Sequence, residues 1–177
     1  MKIQIIGYSG SGKSTLAVKL GNHYGIPVLH LDNVHFFDEW QERSIEEEQH
    51  IVKAFLSKNS SWVIDGNYCR VAPERFIESD LTIFLNFNRC YCYLKAFKRY
   101  RSNRGKSRPS CGCIEKFDWE FQRWILIDGR TKERRRKHLV NLNKTQGQKL
   151  IFHHARQLQS WLRKIGIDEI IKGNRGN

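Results

Sequence analysis

Gly7-Tyr8-Ser9-Gly10-Ser11-Gly12-Lys13-Ser14, followed by Thr15, is the stretch whose reading decides the fold of this chain. Its spacing, Gly-x4-Gly-Lys-Ser, is that of a P-loop, or Walker A sequence. It lies between a short apolar run, 2–6, and a segment with Leu16, Leu20 and Tyr24 at helical spacing. Glycines at 7, 10 and 12 allow a tight turn whose successive N–H groups point at an anion, and the helix N-terminus behind them adds partial positive charge. Gly7, Ser9, Gly10, Ser11, Gly12, Lys13, Ser14 and Thr15 are therefore the expected nucleotide contacts. Lys13 is expected at the outer phosphates and Ser14 at Mg2+, with ATP and Mg2+ as the cofactors.

Outward from this loop, strand and helix signals alternate. The helix Lys13–Tyr24 has Gly25 as its stop. A second strand is expected at 27–31, and Ser44-Ile45-Glu46-Glu47 is a capping box opening a helix to about Lys58. Further strands are expected at 62–64, 81–87 and 149–152, and helices at 89–104 and 156–165. Phe117, Phe121, Trp124 and Ile125 recur at helical spacing, and that helical stretch reaches about Leu142 with a break at Gly129. Five short buried strands alternating with helices imply an α/β fold, a parallel sheet covered on both faces.

Ligands of such sheets sit at the carboxyl ends of the strands. That rule selects the loop at 7–14, Asp32, the run Asp65, Gly66 and Tyr68, and the segment 153–156. Asp65 is the natural second Mg2+ ligand, and Asp32 is placed to bind an acceptor hydroxyl or to take its proton. His30 and His35, which flank Asp32, are read as packing or surface residues.

Composition narrows the class. The chain has 177 residues, 40% of them hydrophobic, which suffices for one ordinary domain, 1–177. No run of about 18 apolar residues is present and the N-terminal run is too short for a signal peptide, so a cytoplasmic location is expected. Of the five cysteines, Cys111 and Cys113 form a Cys-x-Cys pair, a poor match to the spacing of zinc sites. Net charge is +13, and it is localised: residues 89–137 hold sixteen Lys/Arg against five Asp/Glu. Such a block suits nucleic acid, an anionic surface or a highly charged small substrate, and composition leaves these open. Phe117, Trp119, Phe121 and Trp124, interleaved with the charge, are expected to pack in the core.

The P-loop, the Asp65-Gly66 turn and the basic helical region between the fourth and fifth strands resemble the adenylate-kinase-like family of small nucleotide and metabolite kinases. Four runs, 6–15, Trp62-Val63-Ile64-Asp65-Gly66-Asn67-Tyr68, 84–89 and 115–121, more specifically resemble bacterial FlaR-related "DNA topology modulation" proteins. The resemblance implies a three-layer P-loop NTPase fold with a five-stranded parallel sheet and a helical lid, approximately 101–136, between strands four and five. It implies lid arginines closing over the phosphates, here Arg99, Arg104, Arg123, Arg134 and Arg135, and an acceptor near Asp32, Asp65, Gly66 and Tyr68. Arg43 and Arg75 fall in the region that would hold an acceptor's anionic group. The family's Phe-Pro-Arg run after Asp-Gly is replaced by Asn67-Tyr68-Cys69-Arg70, a departure that bears on AMP as acceptor.

The leading expectation is thus an ATP-dependent kinase of a small molecule, a monomer or weak homodimer. The alternative, from the basic block, is a nucleotide-dependent DNA- or RNA-binding regulatory ATPase.

Overall fold

The computed structural model describes residues 1–37, 40–106 and 113–167. In chain order its elements are β1 (Lys2–Gly7), α1 (Lys13–Tyr24), β2 (Val28–His30), α2 (Leu31–His35), β3 (Phe36–Phe37), β4 (Gln41–Glu42), α3 (Ile45–Lys58), β5 (Trp62–Asp65), α4 (Glu74–Glu78), β6 (Leu81–Leu85), α5 (Arg89–Ser102), α6 (Trp119–Leu126), α7 (Lys132–Lys144), β7 (Gln148–Phe152) and α8 (Ala155–Lys164). A 3-10 turn, Asp128–Arg130, separates α6 from α7. Five strands form one parallel sheet in the order β2-β5-β1-β6-β7, and β3 and β4 pair as a separate antiparallel ribbon.

The alternation of β1 explains why both faces of the sheet are covered. Ile3 and Ile5 point into a core shared with Leu16 and Leu20 of α1, Ala96 of α5, Ile125 of α6 and Leu162 of α8. Ile6 points the other way, to Phe76 of α4, Phe84 and Leu142 of α7. A third cluster, around Val34, Val52 and Trp62, holds α2 and α3 against the edge of the sheet. The expected parallel sheet between helical layers is therefore observed. No described helix is long and apolar enough to cross a membrane.

The local stops behave as their chemistry requires. Gly25 ends α1 in the left-handed conformation, φ 63°, returning its N–H to the Gly21 carbonyl. The Ser44–Glu47 capping box is formed in both directions. Gly129 breaks the helical run where a Cβ would come 2.7 Å from the Trp124 carbonyl oxygen.

Three features differ from the sequence expectation. The second strand ends at His30, and Leu31 opens the short helix α2, so Asp32 lies in a first helical turn rather than at a strand terminus. The ribbon β3–β4 and helix α4 were too short to leave a periodic signal. Arg75, expected at an acceptor, is fully buried beneath the sheet. Its guanidinium donates to the carbonyls of Tyr68 (3.0 Å), Ala72 (3.1 Å) and Val71, and to Oε1 of the buried Gln4 (2.9 Å). Burial lowers its pKa to about 10, which still leaves it charged at neutral pH.

Arg75 is thus the structural tie between β1, the β5–α4 loop and α4. Arg75→Met would keep the volume and leave those carbonyls without a donor. Urea unfolding should register a loss of about 3 kcal/mol or more. A loss below about 1 kcal/mol would mean that water replaces the guanidinium.

Candidate functional site: the phosphate loop and its two flanking clefts

Parallel pairing of β1 with β5 places Ile5 beside Asp65, so the loops leaving the two strands are neighbours. They are stitched together by Asn67, whose side chain accepts from the Gly7 N–H (3.0 Å) and donates to the Gly7 carbonyl (2.8 Å). Gly7 has φ 152°, and a Cβ there would meet the Leu85 carbonyl oxygen of β6 at 2.7 Å. The loop then closes with Gly12 in the left-handed region, φ 95°, at the N-terminus of α1. No side chain caps that terminus. Its first N–H groups therefore face outward as anion donors.

Ser14 and Asp65 meet at this mouth: the Ser14 hydroxyl donates to Asp65 Oδ2 at 2.9 Å. The other oxygen, Oδ1, accepts from Nδ1 of His30. Burial by itself would lower the His30 pKa, yet the hydrogen bond to Asp65 and the charges of Asp65 and Asp32 together raise it. His30 is therefore no mere packing residue. It fixes the Asp65 carboxylate so that its second oxygen faces Ser14. A hydroxyl and a buried carboxylate side by side are the hard oxygen donors that suit Mg2+, with water completing the shell. Lys13 Nζ reaches back to the Tyr8 carbonyl at 3.2 Å.

Residues of α6, α7 and the turn between them lie against the loop. Trp124 of α6 donates its indole N–H to Ser9 Oγ at 3.1 Å, and the Arg134 guanidinium lies over the Trp124 ring at 4.3 Å. Arg130, in the turn between α6 and α7, stacks on Tyr8 at 3.8 Å and donates to the Phe87 (2.6 Å) and Ile125 (3.3 Å) carbonyls. Its Nη2 is buried without a partner among the described residues, and so is the Ser11 Oγ of the phosphate loop. Two orphaned donors beside an uncapped helix terminus fit an anion placed between them. His138 of α7 packs edge-on against Tyr8. Burial, with the charges of Lys13, Arg134 and Arg130, pushes its pKa down to about 4.

Two clefts flank this centre. One, about 460 Å3, runs from Ser11, Gly12 and Thr15 past Tyr91 and Lys95 of α5 to Ala155 and Leu158 after β7. A Cβ on Gly12 would meet Lys95 Nζ at 2.5 Å, which places that ammonium directly over the loop. The second, about 940 Å3, opens between α2–α3, the β5–α4 loop and α7. Tyr68 lines it and donates its hydroxyl to Asp32 Oδ1, behind it, at 3.0 Å.

Of the sequence-selected residues, Gly7, Ser9, Gly10, Ser11, Gly12, Lys13, Ser14, Thr15, Asp65 and Gly66 lie in or beside the loop, and Asp32 is hydrogen-bonded to Tyr68, which lines the larger cleft. Arg134 reaches the loop through Trp124, and the charge of Arg135 acts on Tyr8. Others are held elsewhere. Arg99 forms a two-pronged pair, 3.0 Å on each prong, with the buried carboxylate of Glu115. It anchors the segment entering α6, the use a buried acid makes of the nearest guanidinium. Arg43 spends Nη1 on the carbonyls of Asn33, Val34 and Phe36. Arg123 pairs with Asp128, and Arg104 is exposed beyond the end of α5. Phe117 and Phe121 pack in the core as expected, whereas Trp119 is 73% exposed and Trp124 sits on the loop. The Cys113 thiol lies against the Phe37 carbonyl, and Cys111 falls outside the described residues.

Sequence reading missed Asn67, His30, Lys95, Arg130 and His138. Asn67 was visible within the run 62–68. His30 meets Asp65 through the pairing of β2 with β5, and Lys95, Arg130 and His138 reach the loop only when α5, α7 and the turn before α7 fold back over β1.

The low pKa of His138 has a stability consequence. The unfolded chain takes up this proton near pH 6.5, and the folded chain does so only near pH 4. Stability is then complete above about pH 6.5 and falls as pH drops toward 4, by on the order of 2–3 kcal/mol. Denaturant titrations across that range should show the slope in the wild type and a flatter one in His138→Phe.

No family model matches the chain. A Bacillus subtilis (strain 168) protein, uncharacterized protein YqaC, is 31% identical over 84 residues, and the match covers 47% of each chain. The chain thus matches about half the length of that relative. Among solved structures, a shikimate kinase from Acinetobacter baumannii, in complex with shikimate, superposes with a TM-score of 0.58 at 16% identity over 96% of this chain and 95% of that one. A shikimate kinase from Bacteroides thetaiotaomicron gives 0.52 at 18% identity over 93% and 96%. At such identities the likeness speaks of architecture alone: this chain shares the five-stranded parallel α/β fold of those two structures.

Proposed function

We propose that this chain is an ATP-dependent phosphotransferase that moves the γ-phosphoryl group of ATP to a small acceptor. The observation that carries the reading is the Ser14–Asp65 hydrogen bond at the uncapped N-terminus of α1. It brings a metal-binding hydroxyl and carboxylate to a place already built for phosphate. The fold shared with shikimate kinases supports the same reading, as does the resemblance of four sequence runs to FlaR-related members of the adenylate-kinase-like family.

In this reading the smaller cleft takes the nucleoside, with Tyr91 beside it and Lys95 over the phosphates. Loop N–H groups and Lys13 hold the β- and γ-phosphates. Ser14 and Asp65 would hold Mg2+, whose charge offsets that of the phosphates; His30 keeps Asp65 oriented for the task. Arg130 and Arg134 supply positive charge from the lid side, where charge on the transferring group is stabilised and water is excluded. Asp32 stands at the acceptor cleft as the base. The region 101–136 is the lid of a single domain, and the protein acts in the cytoplasm as a monomer or weak homodimer.

The nucleic-acid regulator is kept as the second reading because of one feature: Lys132 and Arg134–Lys137 crowd exposed positive charge around the first turns of α7. It predicts duplex binding at physiological salt that ATP modulates. A steep loss of binding at that salt counts against it.

The kinase reading is tested by ADP release from ATP–Mg2+ over a panel of small hydroxylated and phosphorylated acceptors. Lys13→Ala should lower acceptor-dependent turnover about a hundredfold or more. Normal turnover in that variant would overturn the assignment.

A further inference from the structure

Resting on the kinase reading, we infer that the acceptor is a hydroxylated anion, bound by its carboxylate or phosphate at Arg70 and Arg136 and phosphorylated on a hydroxyl oxygen beside Asp32. The inference comes from how the charges of the larger cleft are matched.

Each acidic residue that lines this cleft already has a hydrogen-bonding partner. Glu48 is buried and takes the His35 Nδ1–H at 2.7 Å, and Glu133 pairs with Lys137 at 2.7 Å. Arg43, on the same wall, is engaged by backbone carbonyls. Arg70 and Arg136 are different. Arg70 comes from the β5–α4 loop and Arg136 from α7, both line one cavity, and neither makes a side-chain hydrogen bond or ion pair with any described residue. Two unmatched guanidinium forks across one cleft suit a single planar or tetrahedral oxyanion, which both can grip. A cleft of about 940 Å3 also has room for a molecule well beyond one charged group.

The Tyr68 wall, with Asp32 behind it, has another chemistry. Asp32 Oδ1 is taken by the Tyr68 hydroxyl at 3.0 Å, while Oδ2 has no hydrogen bond from a described residue. Burial, then the charge and hydrogen bond of Asp32, push the Tyr68 phenol far above its ordinary pKa, so it stays a donor. A carboxylate fixed by one oxygen with the other open is arranged to accept a proton from an alcohol. It would repel a phosphate brought up as the acceptor. In the transfer, the acceptor's hydroxyl oxygen bonds to the γ-phosphorus and the bond to the β-phosphate bridging oxygen breaks. ADP leaves with that electron pair, and the hydroxyl proton passes to Asp32. The anion of the acceptor remains at Arg70 and Arg136 throughout.

The test uses matched compounds: glycerol, glycerate and glycerol 3-phosphate; ribose, ribonate and ribose 5-phosphate; adenosine and AMP. ADP release is followed with wild type, Lys13→Ala and the double variant Arg70→Ala/Arg136→Ala, and products are identified by phosphorus NMR. A charged member should exceed its neutral counterpart by about tenfold or more in kcat/KM, giving a phosphate monoester on a hydroxyl. Comparison of the carboxylate and phosphate members tells which oxyanion is meant. The double variant should raise the acceptor KM about tenfold or more with the KM for ATP held within about twofold. Neutral compounds turned over equally well, AMP converted to ADP as the preferred reaction, or an unchanged acceptor KM in the double variant would each overturn the inference. If no compound gives release above Lys13→Ala, the kinase reading fails by itself. Thermal shift without ATP then decides the cleft: stabilisation by ribonate or ribose 5-phosphate that the double variant loses upholds an anion site, and no stabilisation ends that too.

Discussion

Everything in this molecule that bears on chemistry depends on the hydrogen-bonded junction between the loops leaving β1 and β5. Asn67 clasps Gly7 through both backbone groups, and Ser14 donates to Asp65. Parallel pairing makes that junction possible, since it brings two carboxyl ends to the same edge. The chain leaves β1 toward β2 and β5 on one side and comes back through β6 and β7 on the other. A crevice necessarily opens where the direction changes, and the phosphate loop fills it.

Around that junction the protein distributes its positive charge in two ways. Some cations are structural. Arg75 binds backbone carbonyls beneath the sheet, Arg99 holds Glu115, and Arg43 closes α2. Others stay available near the loop or the larger cleft: Lys95, the orphaned nitrogen of Arg130, Arg70 and Arg136. The distinction is one of solvation. A guanidinium that loses its water must recover its hydrogen bonds from the protein, as the fully buried Arg75 does. Arg70 and Arg136, exposed at the larger cleft, keep water until a ligand displaces it. The high net charge is therefore several populations with different work.

The histidines show the same dependence on surroundings. His30 and His138 lie on opposite sides of the phosphate loop, and their pKa values move in opposite directions. His30 faces two carboxylates, which outweigh its burial, whereas His138 is buried among Lys13, Arg130 and Arg134. One ring is thus drawn toward the charged form and the other kept neutral next to the phosphate site.

How much was legible in the chain follows from the range of the interactions. The loop 7–14, the helix stop at Gly25 and the capping box at Ser44 rest on contacts within a few residues, and the five strands leave short apolar runs, so the sequence by itself determined the α/β class, the phosphate cradle and the place of Asp65. Asp32 could be named but not placed, because whether a short run ends as strand or helix is settled by what packs on it. The partners of the arginines were not legible at all. Arg75 meets Gln4 seventy-one residues away, and Trp124 meets Ser9 across one hundred and fifteen. An arginine offers the same five donors wherever it stands. Only the tertiary structure, by deciding which carbonyl, carboxylate or empty cleft lies opposite, separates a structural tie from a group left free to hold a ligand.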